Sequence, residues 1–180
     1  MTGPGKDDNV RQRLLRPALL GLVLAGLGSG CSKDAMDDST AAQGPTSVVL
    51  QLQAGDELNP TVEGYSAPVR VRLLELRSAA AFSRTDYFSL AERAAATLGG
   101  ELVAEDEWLV HPGQTRELKR TLDPETRHLG LLVGYREIDR AQWRVVLEPK
   151  QGSRSHYRID LGTHAASAAE LAAPSRLDSR

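Results

Sequence analysis

The residue with the most distinctive chemistry in this chain is Cys31, its only cysteine. Cys31 directly follows the small residues Gly28-Ser29-Gly30, at the end of an apolar run that begins near Pro17. About a dozen apolar residues are too few to span a bilayer, which takes roughly 20 helical residues, but they suit a secretory signal. The small residues expose the backbone to a peptidase, and a thiol is a soft nucleophile that a lipid donor can alkylate. The pattern predicts a lipoprotein signal peptide over residues 1–30, cleaved before a lipidated Cys31.

The cleavage motif departs from the usual one at Gly28, where leucine is common, because Leu27 lies one residue further back. The alternative interpretation is an ordinary signal peptide followed by a free thiol. It is disfavoured because an exposed, unpaired cysteine is a liability in an oxidising compartment. Ser32, rather than aspartate, follows the cysteine, and by the usual sorting rule this favours lipid attachment at the periplasmic face of the outer membrane.

The other groups that could do chemistry are scattered along the chain. Glu137 and Asp139 could form an acid and base pair, but they lie in a stretch of alternating charges, where exposed ion pairs are the simpler explanation. Trp108 and Trp143 could stack on sugars, although one tryptophan per strand is more often part of a core. No phosphate loop or nucleophile elbow is present in the sequence. The histidines have no short ligand spacing: His111, His128, His156 and His164. We therefore expect neither an enzyme nor a metal or cofactor site, and the only attached group expected is the lipid on Cys31.

Composition excludes a further class of function. The chain of 180 residues has 22 basic and 24 acidic side chains, which are interspersed. Nucleic-acid binding depends on clustered cations that displace counterions from phosphates, and such a cluster is missing from the sequence. Removal of the signal peptide leaves about 150 residues, the size of one ordinary domain with its own core. No other stretch is apolar enough to cross a membrane.

The elements that must position any site are predicted from periodicity. Residues 31–46 are the lipidated Cys31 and a small, polar stretch that predicts a flexible tether. From Ser47 the apolar residues recur with period two, which indicates a strand. A second strand follows over residues 68–76, where the adjacent Leu73 and Leu74 suggest a bulge.

The connection between these two strands, Asp56 to Ala67, is unusually long. It contains turn formers and little periodicity, which indicates a loop. About twelve residues exceed the two to five of an ordinary hairpin, and long loops in compact domains are commonly functional or disordered. The alternative is a surface excursion with no role.

After the second strand the period becomes helical over about residues 78–98, with Asp86 or Thr85 as a cap and Gly99 as the stop. Six further strand-like segments follow at eight- to twelve-residue spacing: 101–103, 107–111, 114–122, 129–136, 143–147 and 154–161. This spacing predicts a mainly β fold, an antiparallel β-sandwich over residues 47–162 with a small helical insertion after the second strand. Residues 163–180 are rich in alanine and polar side chains, and they predict a disordered tail.

Several short sequences, taken in order, resemble the TssJ family (also VasD or SciN) of type VI secretion lipoproteins. The matching stretches are Cys31, Leu58-Asn59-Pro60, residues 67–78, 80–82, 85–90, 98–102, 111–114 and 129–139, and Trp143-Arg144. The resemblance implies a transthyretin-like sandwich held under the outer membrane. It also implies a scaffold that binds the periplasmic domain of the inner-membrane protein TssM, and through it TssL.

In that family the loop between the first two strands makes much of the partner contact. The corresponding residues here are Asp56, Glu57, Leu58, Asn59, Pro60, Thr61, Val62, Glu63, Gly64, Tyr65, Ser66 and Ala67. We expect Asp56 and Glu57 to pair with cations, and Leu58 and Tyr65 to act as apolar anchors, since aromatic residues are favoured at interface hot spots. The competing hypothesis is an envelope lipoprotein whose sandwich binds a small ligand or inhibits a hydrolase. That hypothesis predicts a concave pocket lined by Trp108 or Trp143.

Overall fold

A computed structural model describes residues 44–172, which form a sandwich of two four-stranded sheets. The first sheet has the strand order β4-β1-β7-β8, and the second has the order β3-β2-β5-β6. The strands are β1 (Ser47–Ala54), β2 (Val69–Leu76), β3 (Leu102–Val110), β4 (Thr115–Thr121), β5 (His128–Val133), β6 (Arg144–Leu147), β7 (Arg154–Leu161) and β8 (Ala166–Leu171). The helices are α1 (Ala80–Arg84) and α2 (Tyr87–Leu98), with short 3-10 turns at Gly99–Glu101 and Ile138–Arg140. The predicted mainly β sandwich with a helical insertion after the second strand is confirmed.

The main core lies between the two sheets and follows from the period-two pattern of the strands. Leu50 and Leu52 of β1 and Ile159 of β7 share one core with Val71 of β2 and Leu131 of β5 in the opposite sheet, and all five are fully buried. Burying a side chain of this size contributes about 1.5–3 kcal/mol to folding. The inner faces of the two sheets therefore hold the domain together.

A second, smaller core lies on the outer face of the β2–β5 pair, beneath the helices. Leu74 and Leu132 point to this side and pack against Phe82 and Leu90. Both faces of β2 are therefore buried, which explains the adjacent leucines that suggested a bulge. The bulge expected at Leu73 and Leu74 is wrong, because the pairing with β3 is regular there and shifts only between Glu75 and Leu76.

The helical layer approaches β5 very closely at its glycines. A Cβ atom added to Gly130 would lie 2.8 Å from the Phe82 ring, and one added to Gly134 would lie 2.8 Å from the Tyr87 hydroxyl. The groups that approach both glycines are aromatic side chains of the insertion.

Helix α2 begins at a capping aspartate and is broken near its middle. The Ser89 amide donates to Asp86 Oδ1 at 2.9 Å, and the helix ends at Gly99, whose φ is +52°. Arg93 has non-helical dihedral angles, so the α2 ladder is interrupted. The guanidinium of Arg72 on β2 donates to the carbonyls of Leu90 and Ala91 at 3.0 and 2.8 Å. Arg72 therefore ties the interrupted helix to the sheet.

Two details of the strands differ from the sequence-based expectations. The segments expected at 101–103 and 107–111 are one strand, β3, because β2 pairs with it along its whole length. The β1–β7 pair is parallel, whereas the other strand pairs of residues 44–172 are antiparallel. Strand β1 can lie parallel to β7 because a long crossover through the second sheet separates them in the chain.

The expected disordered tail over residues 163–180 is wrong for Ala166–Leu171, which form β8 and pair with β7. These alanines have weak strand propensity, but the adjacent β7 edge offers them a complete ladder. Residues 173–180, the predicted signal peptide over residues 1–30, and residues 31–43 lie outside the described residues. Within residues 44–172, no helix has the length and apolar character needed to cross a membrane.

Replacing Gly130 with alanine tests the close packing of the insertion. The new methyl group would collide with the buried Phe82 ring, so Gly130→Ala should destabilise the fold by about 1–3 kcal/mol in urea unfolding. The matched control is Gly100→Ala, since a Cβ there meets nothing within 4 Å. Equal stability of the two variants would contradict the packing described above.

Replacing Arg72 with methionine tests the tie between sheet and helix. Arg72→Met leaves the Leu90 and Ala91 carbonyls without their donor, and we expect a loss of about 2 kcal/mol with faster amide exchange in α2. Arg70→Met is the control, because Arg70 is an exposed neighbour on the same strand that makes an ion pair with Glu107. The control should change stability by less than about 1 kcal/mol. Unchanged amide hydrogen exchange in α2 of Arg72→Met would show that the bonds from Arg72 do not stabilise the helix.

Candidate partner-binding loop

The loop between β1 and β2 has a buried base and an exposed tip. At the base, Leu58 is fully buried in the sandwich core, and its carbonyl accepts from the Ala67 amide at 3.0 Å. This bond closes the two legs of the loop against each other. The next residue, Asn59, is also buried, and its φ of +47° lies in the left-handed region that asparagine tolerates better than most residues.

The tip is a compact turn with its own hydrogen bonds. Gly64 donates to the Thr61 carbonyl at 2.9 Å, and Thr61 donates to the Tyr65 carbonyl at 2.7 Å. The Tyr65 amide in turn donates to the Thr61 hydroxyl at 3.2 Å. Val62 and Tyr65 project from this turn and are 93% and 74% exposed. Such exposure of two large apolar side chains on one turn is typical of a contact surface.

The loop also carries negative charge. Glu63 accepts from its own backbone amide and from the Thr61 hydroxyl, and these bonds lower the pKa of its carboxyl group below the usual value. Glu63 is therefore charged at neutral pH. Asp56 and Glu57 are exposed on the other leg of the loop. An apolar tip flanked by carboxylates suits a partner that has an apolar pocket beside basic residues.

Neighbouring connections surround the base of this loop at one end of the sandwich. The Gly113 amide in the β3–β4 turn donates to the Gly55 carbonyl at 3.2 Å. Asn59 contacts Arg136 in the β5–β6 connection and Thr163 in the β7–β8 turn. The four connections therefore form one end surface, with the Val62–Tyr65 tip on it.

The point where the predicted tether joins the domain lies at the opposite end. The Thr46 carbonyl accepts from the Leu122 amide at 2.9 Å, and its hydroxyl accepts from the Gly152 amide at 2.9 Å. Strand β1 runs from Thr46 to the loop, and eight strand residues span about 25 Å. The loop and Thr46, where the predicted tether joins the domain, are thus separated by the length of β1.

The structure excludes one predicted contact residue from the loop surface and adds another candidate. Leu58 was expected as an apolar anchor, but its side chain fills the core and is inaccessible to a partner. Tyr65 is exposed as that expectation requires, and Asp56 and Glu57 are exposed as well. Val62 was not singled out. The sequence feature that could have identified Val62 is its isolation, because it is a β-branched apolar residue among turn formers and belongs to no strand pattern.

The residues considered for other chemistry are not assembled into a site. Trp108 and Trp143 are partly buried against the core, and neither lines the cleft of about 370 Å³ between β6 and β8. Glu137 lies 3.6 Å from Arg140, as an exposed ion pair, and 3.8 Å from the His164 ring. Within residues 44–172, no group of three histidine or carboxylate side chains could hold a metal ion.

Comparison with known proteins identifies a family and several solved structures that resemble this chain. The family described as "Type VI secretion lipoprotein, VasD, EvfM, TssJ, VC_A0113" matches residues 46–164. The T6SS lipoprotein TssJ1 of Pseudomonas aeruginosa is 48% identical, with a TM-score of 0.71, and the match covers 72% of this chain and 99% of that one. The membrane-bound type VI component Lip of Serratia marcescens is 26% identical, with a TM-score of 0.63, covering 69% of this chain and 98% of that one.

A more distant similarity shows the fold alone. A chain in a structure described as the T6SS protein TssM C-terminal domain from EAEC is 20% identical, with a TM-score of 0.54, covering 71% of this chain and 99% of that one. A comparison with curated proteins gives no match. Because the family match spans strands β1 to β7 and the loop between β1 and β2, and TssJ1 is matched over nearly its whole length, the chain belongs to the type VI secretion lipoprotein family.

Proposed function

We propose that this lipoprotein is an outer-membrane-anchored scaffold of the type VI secretion membrane complex, and that the tip of its β1–β2 loop binds the periplasmic domain of TssM. The observation that carries the proposal is the exposure of Val62 and Tyr65 on a turn fixed by its own hydrogen bonds. TssM is named because chains of this fold occur in structures described as a type VI membrane complex and as the TssM C-terminal domain.

The chemistry of the tip suits a protein partner. Tyrosine combines a large apolar ring with a hydroxyl group, and such residues dominate the binding energy of many interfaces. Asp56, Glu57 and Glu63 surround the tip with charge that can steer a basic partner surface during encounter. A turn that is already ordered loses less entropy on binding than a flexible one.

The position of the tip suits a link between two membranes. Lipid on Cys31 would hold the tether end at the outer membrane, and each buried methylene of that lipid contributes about 0.8 kcal/mol. The tip at the far end would hold TssM, which is rooted in the inner membrane and reaches TssL. The domain then acts as a rigid spacer rather than as a catalyst.

Two substitutions at the tip test the proposed contact. Val62→Ser and Tyr65→Ser should each weaken binding to the purified periplasmic domain of TssM, and Tyr65→Ser should weaken it by about tenfold or more because it removes an aromatic anchor. The measurement is calorimetric titration of folded protein. Both side chains are exposed, so the melting temperature should stay within about 2 °C of the wild-type value.

The control for these variants is Phe88→Ser, since Phe88 is 57% exposed on the helical insertion rather than on the loop. It should leave TssM binding unchanged. The proposal is wrong if both tip variants bind like the wild type. If Phe88→Ser alone loses binding, the contact surface lies on the insertion instead.

Replacing Cys31 with alanine tests the role of the anchor. The change lies outside the folded sandwich, so the variant should fold and bind TssM in solution with unchanged affinity. In cells it should appear in the soluble periplasmic fraction and fail to support secretion, because the lipid alone supplies membrane attachment. Normal secretion by a soluble variant would refute the mechanical role of the lipid.

A further inference from the structure

Asn59 differs from the other polar residues of the β1–β2 loop because it is buried and forms hydrogen bonds through both polar atoms of its side chain. Only 6% of the residue is exposed, although it lies just three positions before Val62 at the exposed tip. The sequence places it between Leu58, which is in the core, and Pro60, which has no amide hydrogen to donate. Asn59 therefore lies at the boundary between the fixed base and the projecting tip.

Three hydrogen bonds hold Asn59 to three different segments of backbone. Its Nδ2 group donates to the Pro68 carbonyl at 3.1 Å, on the returning leg of the same loop. Its Oδ1 atom accepts from the Arg136 amide at 2.7 Å, in the β5–β6 connection. Its own amide donates to the Thr163 carbonyl at 3.1 Å, in the β7–β8 turn. One residue thus connects the loop to two neighbouring connections and to its own far leg.

The backbone angle of Asn59 adds a constraint on residue type. Its φ of +47° is in the left-handed region, where most side chains are strained and asparagine, aspartate and glycine are favoured. The side chain must also offer one donor and one acceptor at once. Asparagine tolerates the left-handed backbone and offers both a donor and an acceptor. Aspartate tolerates the backbone but offers only the acceptor, and glycine tolerates the backbone but offers neither.

We propose that Asn59 is a positioning residue that fixes the direction in which the Val62–Tyr65 tip projects from the sandwich, and so sets the affinity of the loop for its partner. The inference rests on the proposed binding function of the tip. The bonds of Thr61, Gly64 and Tyr65 hold the tip's internal shape, but they do not connect it to the body of the domain. The connection to the body runs through the base, where Asn59 bonds two neighbouring connections.

Three substitutions separate the requirements that Asn59 meets. Asn59→Gly keeps the left-handed backbone and removes both side-chain bonds. Asn59→Asp keeps the backbone and the acceptor for the Arg136 amide, and it loses the donor to Pro68. Ser66→Ala is the matched control in the same loop, because it removes one exposed side-chain bond, from Ser66 Oγ to the Asp56 carbonyl.

Two measurements apply to each variant of the mature chain. Amide hydrogen exchange reports the order of the loop base through two amides: that of residue 59, which donates to Thr163, and that of Ala67, which donates to Leu58. Surface plasmon resonance with the periplasmic domain of TssM reports association and dissociation rates. In Asn59→Gly we expect exchange at these amides to be about tenfold faster, and affinity to fall about tenfold, chiefly through slower association because the competent loop orientation is populated for a smaller fraction of the time. Asn59→Asp should recover part of the loss, and Ser66→Ala should match the wild type.

The results distinguish this inference from the proposed function. Wild-type exchange rates at residue 59 and Ala67 in Asn59→Gly would overturn the inference whether or not TssM binds. Faster exchange with unchanged association and affinity would also overturn it, since the orientation of the tip would then be irrelevant to binding. If Asn59→Gly does not fold, Asn59→Asp decides by the same two measurements. A wild-type protein that fails to bind TssM would instead overturn the proposed function. The exchange data would still test whether Asn59 fixes the base of the loop.

Discussion

The burial of β2 on both faces is the constraint on which the rest of this structure depends. The Leu73 face of β2 closes the sandwich, and the Leu74 face would be exposed to water without the helices. The insertion is therefore required by the sheet that it covers. The close packing of the insertion against this sheet in turn requires glycine at positions 130 and 134. It also requires the guanidinium of Arg72, which donates to carbonyls of the interrupted α2. The Pro68 carbonyl that Asn59 binds directly precedes β2, so the strand also holds this end of the β1–β2 loop in place.

Strand β1 is the covalent connection between the tether end and that loop. It is an inner strand, paired with β4 over residues Ser47 to Gln53 and with β7 over Ser47 to Ala54. In the proposed role, tension between the two membranes would act along β1 and load its flanking hydrogen bonds together rather than one at a time. An inner strand with partners on both sides suits that load better than an edge strand, which has only one ladder to resist sliding.

The sequence predicted the features that depend on local pattern. The alternation from Ser47 located β1, Asp86 and Gly99 marked the ends of α2, and the excess of turn formers located the loop. The features that were wrong or missed depend on distant partners. Leu58 looked like a loop residue, because nothing local shows that the core has room for it, and β8 had to be recognised from β7 rather than from its own alanines. The parallel β1–β7 pair joins residues about a hundred positions apart, which no window of periodicity covers.

The division of the loop into base and tip changes how its role has to be studied. Replacing all of residues 56–67 would remove Leu58 from the core and Asn59 from its three bonds, so a loss of binding could follow from a damaged fold. The tip residues Val62 and Tyr65 support nothing inside the domain, and their side chains are free to be matched to a partner. The base residues have no such freedom, because each is fixed by contacts within the sandwich. In the proposed role, specificity for a partner and stability of the fold therefore reside in different residues of one loop, and only changes confined to the tip separate them.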